Sequence, residues 1–135
     1  MTTKQTVLIV DDMPTNLAML GSALHNDYTV RVATNGKEAI SIAKSDTPPD
    51  IILLDIMMPD MSGYDVCIEL KKKSPEKDIP IIIITAIDDE KDEEYGLSIG
   101  AIDFVTKPFS VPVLKARIKN HLELKKYRDM LLNKE

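Results

Sequence analysis

Short apolar runs recur along the chain, and polar residues bound each of them. Thr6 to Val10, Ile51 to Leu54 and Ile81 to Ile84 consist of Val, Ile and Leu apart from the leading threonine. Uninterrupted apolar runs of this length are typical of strands that are covered on both faces, as in a parallel sheet. Tyr28 to Ala33 alternates more and predicts a strand nearer an edge, and Ile102 to Val105 predicts a short fifth strand.

Stretches with helical periodicity separate these runs. Leu17, Leu20 and Leu24 recur at three- and four-residue spacing behind Pro14. Further helices are predicted around residues 39–43, 63–70, 88–98 and 111–132. Strand and helix alternate five times, which predicts an α/β domain with a parallel sheet and right-handed crossovers.

The composition excludes several classes of protein. The chain has 135 residues and a net charge of -5, which argues against binding nucleic acid, because such surfaces cluster Lys and Arg. The basic run Lys71 to Lys73 lies late in a predicted helix and is interpreted as a solvated helix end. The single cysteine, Cys67, excludes an intrachain disulfide and is predicted to be buried. Neither a membrane-spanning stretch nor a signal pattern is found, so a cytoplasmic protein is predicted.

Carboxylates follow two of the predicted strands. Asp11 and Asp12 come after the first strand, and Asp55 comes after the third. Because the carboxyl ends of parallel strands line the ligand crevice of an open sheet, these side chains are predicted to converge. Two carboxylates about 4 Å apart repel by roughly 4 kcal/mol at an effective dielectric of 20. Three therefore require a cation or retained protons, and oxygen donors without thiolate or imidazole favour Mg²⁺.

A simpler interpretation of the first two acids remains open. Asp11 or Asp12 can serve only to cap the helix that begins near Pro14. That interpretation does not account for Asp55, because residues 57–63 separate Asp55 from the next helix. Taken together, the three carboxylates favour a metal site over capping.

Three further residues are candidates for the same crevice. Lys107 follows the fifth strand and can neutralise the carboxylates and hold a phosphoryl oxygen, although most lysines simply lie on the surface. Thr85 ends a run of four isoleucines, and it either faces the crevice or is an ordinary strand-terminal or helix-capping threonine. Phe104, judged by its position alone, is a core residue of the fifth strand.

At this point the chain resembles the receiver domains of two-component response regulators, over about residues 5 to 122. The resemblance depends on four strings in order: the pair Asp11-Asp12, LLDIMMPDMSG around Asp55, IIIITA with Thr85, and Lys107-Pro108-Phe109. It implies a doubly wound, flavodoxin-like sheet of five parallel strands in the order 2-1-3-4-5, and it makes the Lys107-Pro108 bond a candidate cis peptide.

The resemblance also implies roles for the residues of the crevice. Asp55 is the implied phosphoacceptor, and Lys107 is implied to contact first Asp55 and then the phosphoryl group. The implied Mg²⁺ ligands are Asp11 (largely through water), Asp12, Asp55 and the backbone carbonyl of Met57. Thr85 and Phe104 are implied to form a switch pair, in which Thr85 moves toward a phosphoryl oxygen and Phe104 rotates inward.

The expected function is a signalling switch that takes a phosphoryl group from a sensor histidine kinase or a phosphotransfer protein. It is expected to catalyse only its own phosphorylation and dephosphorylation, and to bind neither nucleic acid nor a membrane. The rival hypothesis is a Mg²⁺-dependent phosphohydrolase of haloacid-dehalogenase type with Asp11 as nucleophile. That class has a second aspartate where this chain has Met13, and it carries a substrate-cap insertion that is not found here.

The last predicted helix is longer than a cover for the sheet requires. Val111 to Leu132 corresponds to roughly 33 Å of helix. The chain is accordingly divided into a receiver domain, residues 1–122, and a helical extension or linker, residues 123–135. A frayed terminus is one interpretation of the extension. The other is a connector that dimerises or leads to an output domain, with the face of the fourth helix, fifth strand and fifth helix as a candidate homodimer surface.

Overall fold

The computed structural model describes residues 4–72, 78–87 and 89–132, and in them strands and helices alternate. The elements are β1 (Thr6–Val10), α1 (Pro14–Leu24), β2 (Thr29–Ala33), α2 (Gly36–Ala43), β3 (Ile51–Leu54), α3 (Gly63–Leu70), β4 (Ile81–Thr85), α4 (Glu90–Ser98), β5 (Asp103–Thr106) and α5 (Val111–Leu132). The predicted alternation is confirmed, with β5 shifted by one residue. The predicted start of α4, Asp88, lies outside the described residues.

The five strands form one parallel sheet in the order β2-β1-β3-β4-β5, as expected. β2 and β5 are its edges, which agrees with the weaker apolar pattern of the second strand. β1 pairs with β3, and Val10 is opposite Leu54 in the register. The residues that follow these two strands therefore leave the sheet side by side at its carboxyl end.

Helices cover both faces of the sheet, so the core has two layers. On one face Val7, Ile9 and Leu53 pack with the leucines of α1 and with the inner side of α5. On the other face Leu8 and Ile52 pack with residues of α2 and α3. Alternate residues of each central strand thus enter different layers. This burial on both faces explains why the strands are continuous apolar runs.

The interpretation of the basic run after α3 as a solvated helix end does not hold for Lys71. Lys71 immediately follows α3, and its partly buried side chain donates from Nζ to the Ile79 carbonyl oxygen at 2.7 Å. Burial lowers the pKa of Lys71. Its apolar stem lies beside Gly100, where an added Cβ would be 2.7 Å from Lys71 Cγ. Lys73 lies outside the described residues, and Cys67 is buried as predicted.

Helix α5 has the predicted bounds, and its buried residues stop well before its end. Leu114, Ile118 and Leu122 are buried against the sheet. The large apolar residues beyond them are exposed, including Leu124 and Leu131. Among the residues that the structure describes, no helix is both long and apolar enough to cross a membrane.

Candidate functional site

The pairing of β1 with β3 brings three carboxylates together at the carboxyl end of the sheet. Asp11, Asp12 and Asp55 each offer an oxygen, and these oxygens all lie within 4.8 Å of one another. Asp11 is 3% exposed and Asp55 is 8% exposed, whereas Asp12 is more open to solvent. The predicted convergence of the three residues is confirmed, and the cluster can hold a metal ion.

Three donors hold the carboxylate of Asp11. Its Oδ1 accepts from the Met13 backbone N–H at 2.9 Å, and its Oδ2 accepts from Asn16 Nδ2 at 3.0 Å. Lys107 Nζ lies 3.5 Å from the same Oδ2. These contacts fix the orientation of the carboxylate and compensate its burial.

The interpretation of Asp11 or Asp12 as a helix cap is not supported. The N-cap residue of α1 is Met13, which makes no side-chain capping bond, and Pro14 occupies the first turn. Pro14 is the first residue of α1 and lacks a backbone N–H, so the start of the helix has one fewer unpaired donor. The carboxylate of Asp11 is instead directed into the cluster.

Asn16 is a site residue that the sequence reasoning did not identify. It lies in the first turn of α1, and its amide reaches back to Asp11 Oδ2. The sequence offered one signal for this role of Asn16: its amide lies five residues after Asp11, on a helix that starts from the same crevice. It was not decisive, because an asparagine in a first turn commonly serves the helix itself.

Asp55 lies in an environment that disfavours its charge. Burial raises the pKa of Asp55, and the negative charges of Asp11 and Asp12 raise it further, against the opposing effects of Lys107 and of the Met57 backbone N–H. The Met57 N–H donates to Asp55 Oδ1 over a long 3.4 Å. A bound cation at the cluster would favour the ionised form.

Lys107 is tied to the neighbouring strand and reaches the cluster. Its backbone N–H donates to the Thr85 carbonyl oxygen at 2.8 Å, and its bond to Pro108 is cis, as the resemblance implied. Its side chain is 25% exposed and pairs with the buried Asp11, so it is not an ordinary surface lysine. The direct contact of Lys107 with the Asp55 carboxylate stays a prediction.

Thr85 and Phe104 lie on the neighbouring strands β4 and β5, two positions apart in the register, since Phe104 is opposite Ile83. Thr85 is fully buried, and its Oγ1 accepts from the Ile87 N–H at 3.3 Å, whereas α4 is capped by Asp89. Thr85 is therefore not a helix cap. Phe104 is buried in the core, with its ring under Gly96 of α4. The ring already points inward, and its rotation on phosphorylation stays a prediction.

A sequence model of one protein family covers most of this chain. The model described as the response regulator receiver domain matches residues 7–119. The chain belongs to the response regulator receiver domain family. It is the receiver domain of a two-component response regulator, and aspartate phosphorylation and Mg²⁺ are typical of this family.

Longer curated proteins contain regions similar to this receiver domain. It is 43% identical over 128 residues to a "Probable cyclic di-GMP phosphodiesterase" of Vibrio cholerae, with 95% of this chain and 29% of that protein covered. It is 41% identical over 130 residues to "Response regulator PleD" of Caulobacter vibrioides, with 96% of this chain and 28% of that protein covered. The chain thus spans less than a third of either relative.

Solved structures share the fold. The signal receiver domain of a signal transduction histidine kinase from Syntrophus aciditrophicus is 38% identical, with a TM-score of 0.80 over 88% of this chain and 90% of that one. The BeF3-activated DrrB receiver domain is 30% identical, with a TM-score of 0.79 over 90% of this chain and 99% of that one.

Proposed function

We propose that this receiver domain is phosphorylated on Asp55 and that the acidic cluster binds Mg²⁺. In this proposal Asp12, Asp55 and the Met57 backbone carbonyl bind the ion directly, and Asp11 binds it largely through water. The observation that carries the proposal is the convergence of three carboxylate oxygens within 4.8 Å at the end of β1 and β3. Hard oxygen donors of this kind suit Mg²⁺.

The proposed reaction follows from the groups in the crevice. The Asp55 carboxylate attacks the phosphorus of a phosphohistidine on a kinase or phosphotransfer protein; the P–O bond to Asp55 forms as the P–N bond to histidine breaks. Lys107 stabilises the charge that spreads over the phosphoryl oxygens. When bound, Mg²⁺ supplies further positive charge to those oxygens. Beyond this self-catalysed transfer and the hydrolysis of the aspartyl phosphate to inorganic phosphate, no enzymatic activity is proposed.

The switch is proposed to begin at Thr85. Its hydroxyl leaves the Ile87 N–H and turns to a phosphoryl oxygen, and Phe104 is held inward in the phosphorylated state. Moving a two-state equilibrium from 1:99 to 99:1 takes about 5.5 kcal/mol of differential stabilisation. A few hydrogen bonds to a charged group, at about 1.5–3 kcal/mol each, can supply it.

The proposed output is a changed interaction surface on α4, β5 and α5. We propose that the chain forms a homodimer through this face and that an output domain lies beyond residues 1–122. Residues 123–135 are proposed to serve as an extension or linker, and the protein is proposed to be cytoplasmic. The proposal includes no direct binding of nucleic acid, since the chain has a net charge of -5.

Phosphorylation with a small donor tests the proposal. The chain is incubated with Mg²⁺ and acetyl phosphate, and intact mass spectrometry looks for an adduct of about 80 Da, the mass of one phosphoryl group. Asp55→Asn is expected to abolish the adduct. Asp60→Asn is the matched control, because it lies in the same loop and asparagine tolerates its positive φ of 69°.

Two outcomes would contradict the proposal. An adduct that persists in Asp55→Asn but disappears in Asp11→Asn would indicate the nucleophile of the rival phosphohydrolase. Sustained turnover of simple phosphate esters by the wild-type chain would do the same. Met13 lies where that class has its second aspartate, so neither outcome is expected.

A further inference from the structure

Methionines flank the acidic cluster, and two of them are open to solvent. Met13 follows Asp12 directly and is 51% exposed, and Met57 lies two residues after Asp55 and is 60% exposed. The next residue, Met58, is only 9% exposed and packs in the core. The thioether of Met57 therefore meets small solutes, whereas that of Met58 is shielded from them.

The backbone of Met57 is part of the candidate site. Its N–H donates to Asp55 Oδ1 at 3.4 Å, and Asp55 belongs to the three carboxylates whose oxygens lie within 4.8 Å of one another. Its carbonyl oxygen is a proposed ligand of the Mg²⁺ ion. Because a methionine side chain is short and flexible, the exposed sulfur stays close to the cluster in whichever rotamer it takes.

An exposed thioether is a target for hydroperoxides, which convert it to a sulfoxide. With hydrogen peroxide, the sulfur lone pair attacks one peroxide oxygen, and the S–O bond forms as the O–O bond breaks. The hydroxide that leaves takes up the proton of the transferred oxygen and becomes water. The sulfur is oxidised by two electrons and the peroxide is reduced by two, and methionine sulfoxide reductases reverse the change.

We propose that Met57 is a reversible oxidation site through which peroxide strengthens Mg²⁺ binding at the acidic cluster, an inference that rests on the proposed function of that cluster. Oxidation replaces an apolar thioether with an oxygen that accepts hydrogen bonds and carries partial negative charge. Such an oxygen accepts from the waters that Mg²⁺ retains, and its charge adds to that of the carboxylates. The oxidised chain is therefore expected to bind Mg²⁺ more tightly.

Met13 is the rival site at the same crevice. Its backbone N–H donates to Asp11 Oδ1 at 2.9 Å, so it also borders the cluster. Its carbonyl oxygen, however, accepts from the backbone N–H groups of Asn16 and Leu17 and so serves the start of α1. The carbonyl of Met57 is instead proposed to bind the ion itself, which places the Met57 side chain beside the waters of the ion.

Peptide mapping of the peroxide-treated chain tests the site. The full 135-residue chain is exposed to hydrogen peroxide without metal, the reaction is stopped with catalase, and mass spectrometry follows the addition of one oxygen atom, about 16 Da. Met57 is expected to be oxidised about tenfold faster than its buried neighbour Met58, because the sulfur must meet the peroxide in solution. Equal rates at these two residues would overturn the proposal.

Calorimetry before and after oxidation tests the effect on metal binding. The Kd for Mg²⁺ is expected to fall about fivefold, which corresponds to about 1 kcal/mol, the net contribution of one hydrogen bond. Met57→Leu conserves the volume of the side chain and removes the sulfur, so peroxide should leave its Kd unchanged. Met130→Leu is the matched control, because Met130 is also 60% exposed but lies near the end of α5, and it should keep the fivefold fall.

Three results of this calorimetry would overturn the proposal. The first is a fall in Kd that persists in Met57→Leu, and the second is a fall that is lost in Met13→Leu instead. The third is a Kd that stays lowered after methionine sulfoxide reductases have removed the added oxygen, since the proposed site is reversible.

Failure of this inference is distinguishable from failure of the proposed metal site. Asp12→Ala is titrated with Mg²⁺ without peroxide treatment, and a normal Kd in that variant would contradict the proposed function. Weakened binding in Asp12→Ala, together with a Kd of the wild-type chain that oxidation does not change, would contradict only the role of Met57.

Discussion

Two neighbouring carboxylates, Asp11 and Asp55, differ in how the protein holds them. Asp11 accepts bonds of 2.9 and 3.0 Å and pairs with Lys107, so its rotamer and charge are well supported. Asp55 accepts from the Met57 N–H at 3.4 Å, and burial raises its pKa. This contrast suits an anchored residue beside a reactive one, because a strongly solvated carboxylate would be a poorer nucleophile.

Removal of the Asn16 amide is expected to weaken metal binding. Asn16→Ala leaves Asp11 Oδ2 with Lys107 and without its 3.0 Å donor. A lost hydrogen bond to a charged group is worth about 1.5 kcal/mol, which corresponds to roughly a tenfold higher Kd for Mg²⁺. Isothermal titration calorimetry measures the Kd for Mg²⁺, and Asn26→Ala, at an exposed position, is the control. Equal affinities in both variants would show that Asn16 does not position Asp11.

The raised pKa of Asp55 predicts a pH-dependent stability in the absence of Mg²⁺. Because the folded-state pKa lies above the unfolded value of 3.8, the folded state binds more protons, and stability falls as pH rises through the folded pKa. At neutral pH the ionised Asp55 is therefore destabilising, and the Asp55→Asn variant should unfold at a higher urea concentration than the wild-type chain. That advantage should shrink as pH approaches 3.8. A wild-type chain that is the more stable of the two at neutral pH would contradict this.

The connection between β3 and α3 determines where Asp55 lies. Ser62 and Asp65 form a reciprocal capping box at the start of α3. The Gly63 N–H donates to the Ile56 carbonyl oxygen at 2.9 Å, which ties the helix start to the segment after Asp55. At Gly63 a Cβ would meet the Asp55 carbonyl oxygen and would lie 2.7 Å from Ile56 Cα. Only glycine permits this approach of two backbones.

Two alanine substitutions are therefore expected to act in opposite directions. Gly63→Ala forces the segment after Asp55 away from α3, and we expect a loss of about 2–3 kcal/mol in the free energy of unfolding. Gly21→Ala lies inside α1, where the nearest atom to the new Cβ is Val30 Cγ1 at 3.8 Å. It should gain about 0.5–1 kcal/mol from helix propensity. Urea unfolding measures both, and effects of the same sign would contradict the close-approach argument.

The arrangement of the whole molecule concentrates negative charge at one end of the sheet. The parallel order β2-β1-β3-β4-β5 sends the residues after β1 and β3 to the same edge, and Lys107 follows β5 at that edge. Repulsion among the three acids opposes folding and is relieved when a divalent cation binds. Folding and metal binding should therefore be coupled.

Mg²⁺ is expected to raise the melting temperature of the whole domain. At ten times its Kd, a ligand specific to the folded state stabilises by about 1.4 kcal/mol, or about 5 °C for a chain of this size. Asp12→Ala should remove most of this shift, and the exposed Asp46→Ala should retain it. Differential scanning fluorimetry at constant ionic strength measures the shift. An equal shift in the two variants would contradict the proposed metal site.

Much of this protein could be predicted from its sequence because the decisive signals are local. Continuous apolar runs identify central parallel strands, and the acids that end two of them converge once the sheet is parallel. The bounds of α5 followed from helical periodicity. The strand order and the cis bond before Pro108 came from the resemblance to a family, since no local pattern encodes them.

Other features were decided only by the tertiary structure. The reach of Asn16 to Asp11, the inward ring of Phe104 and the partly buried side chain of Lys71 each depend on which surfaces the crossovers bring together. The exposure of Leu124 and Leu131 likewise follows from where the sheet ends beneath α5. Local sequence sets the pattern of each element, but the contacts of a side chain are set by distant segments that pack against it.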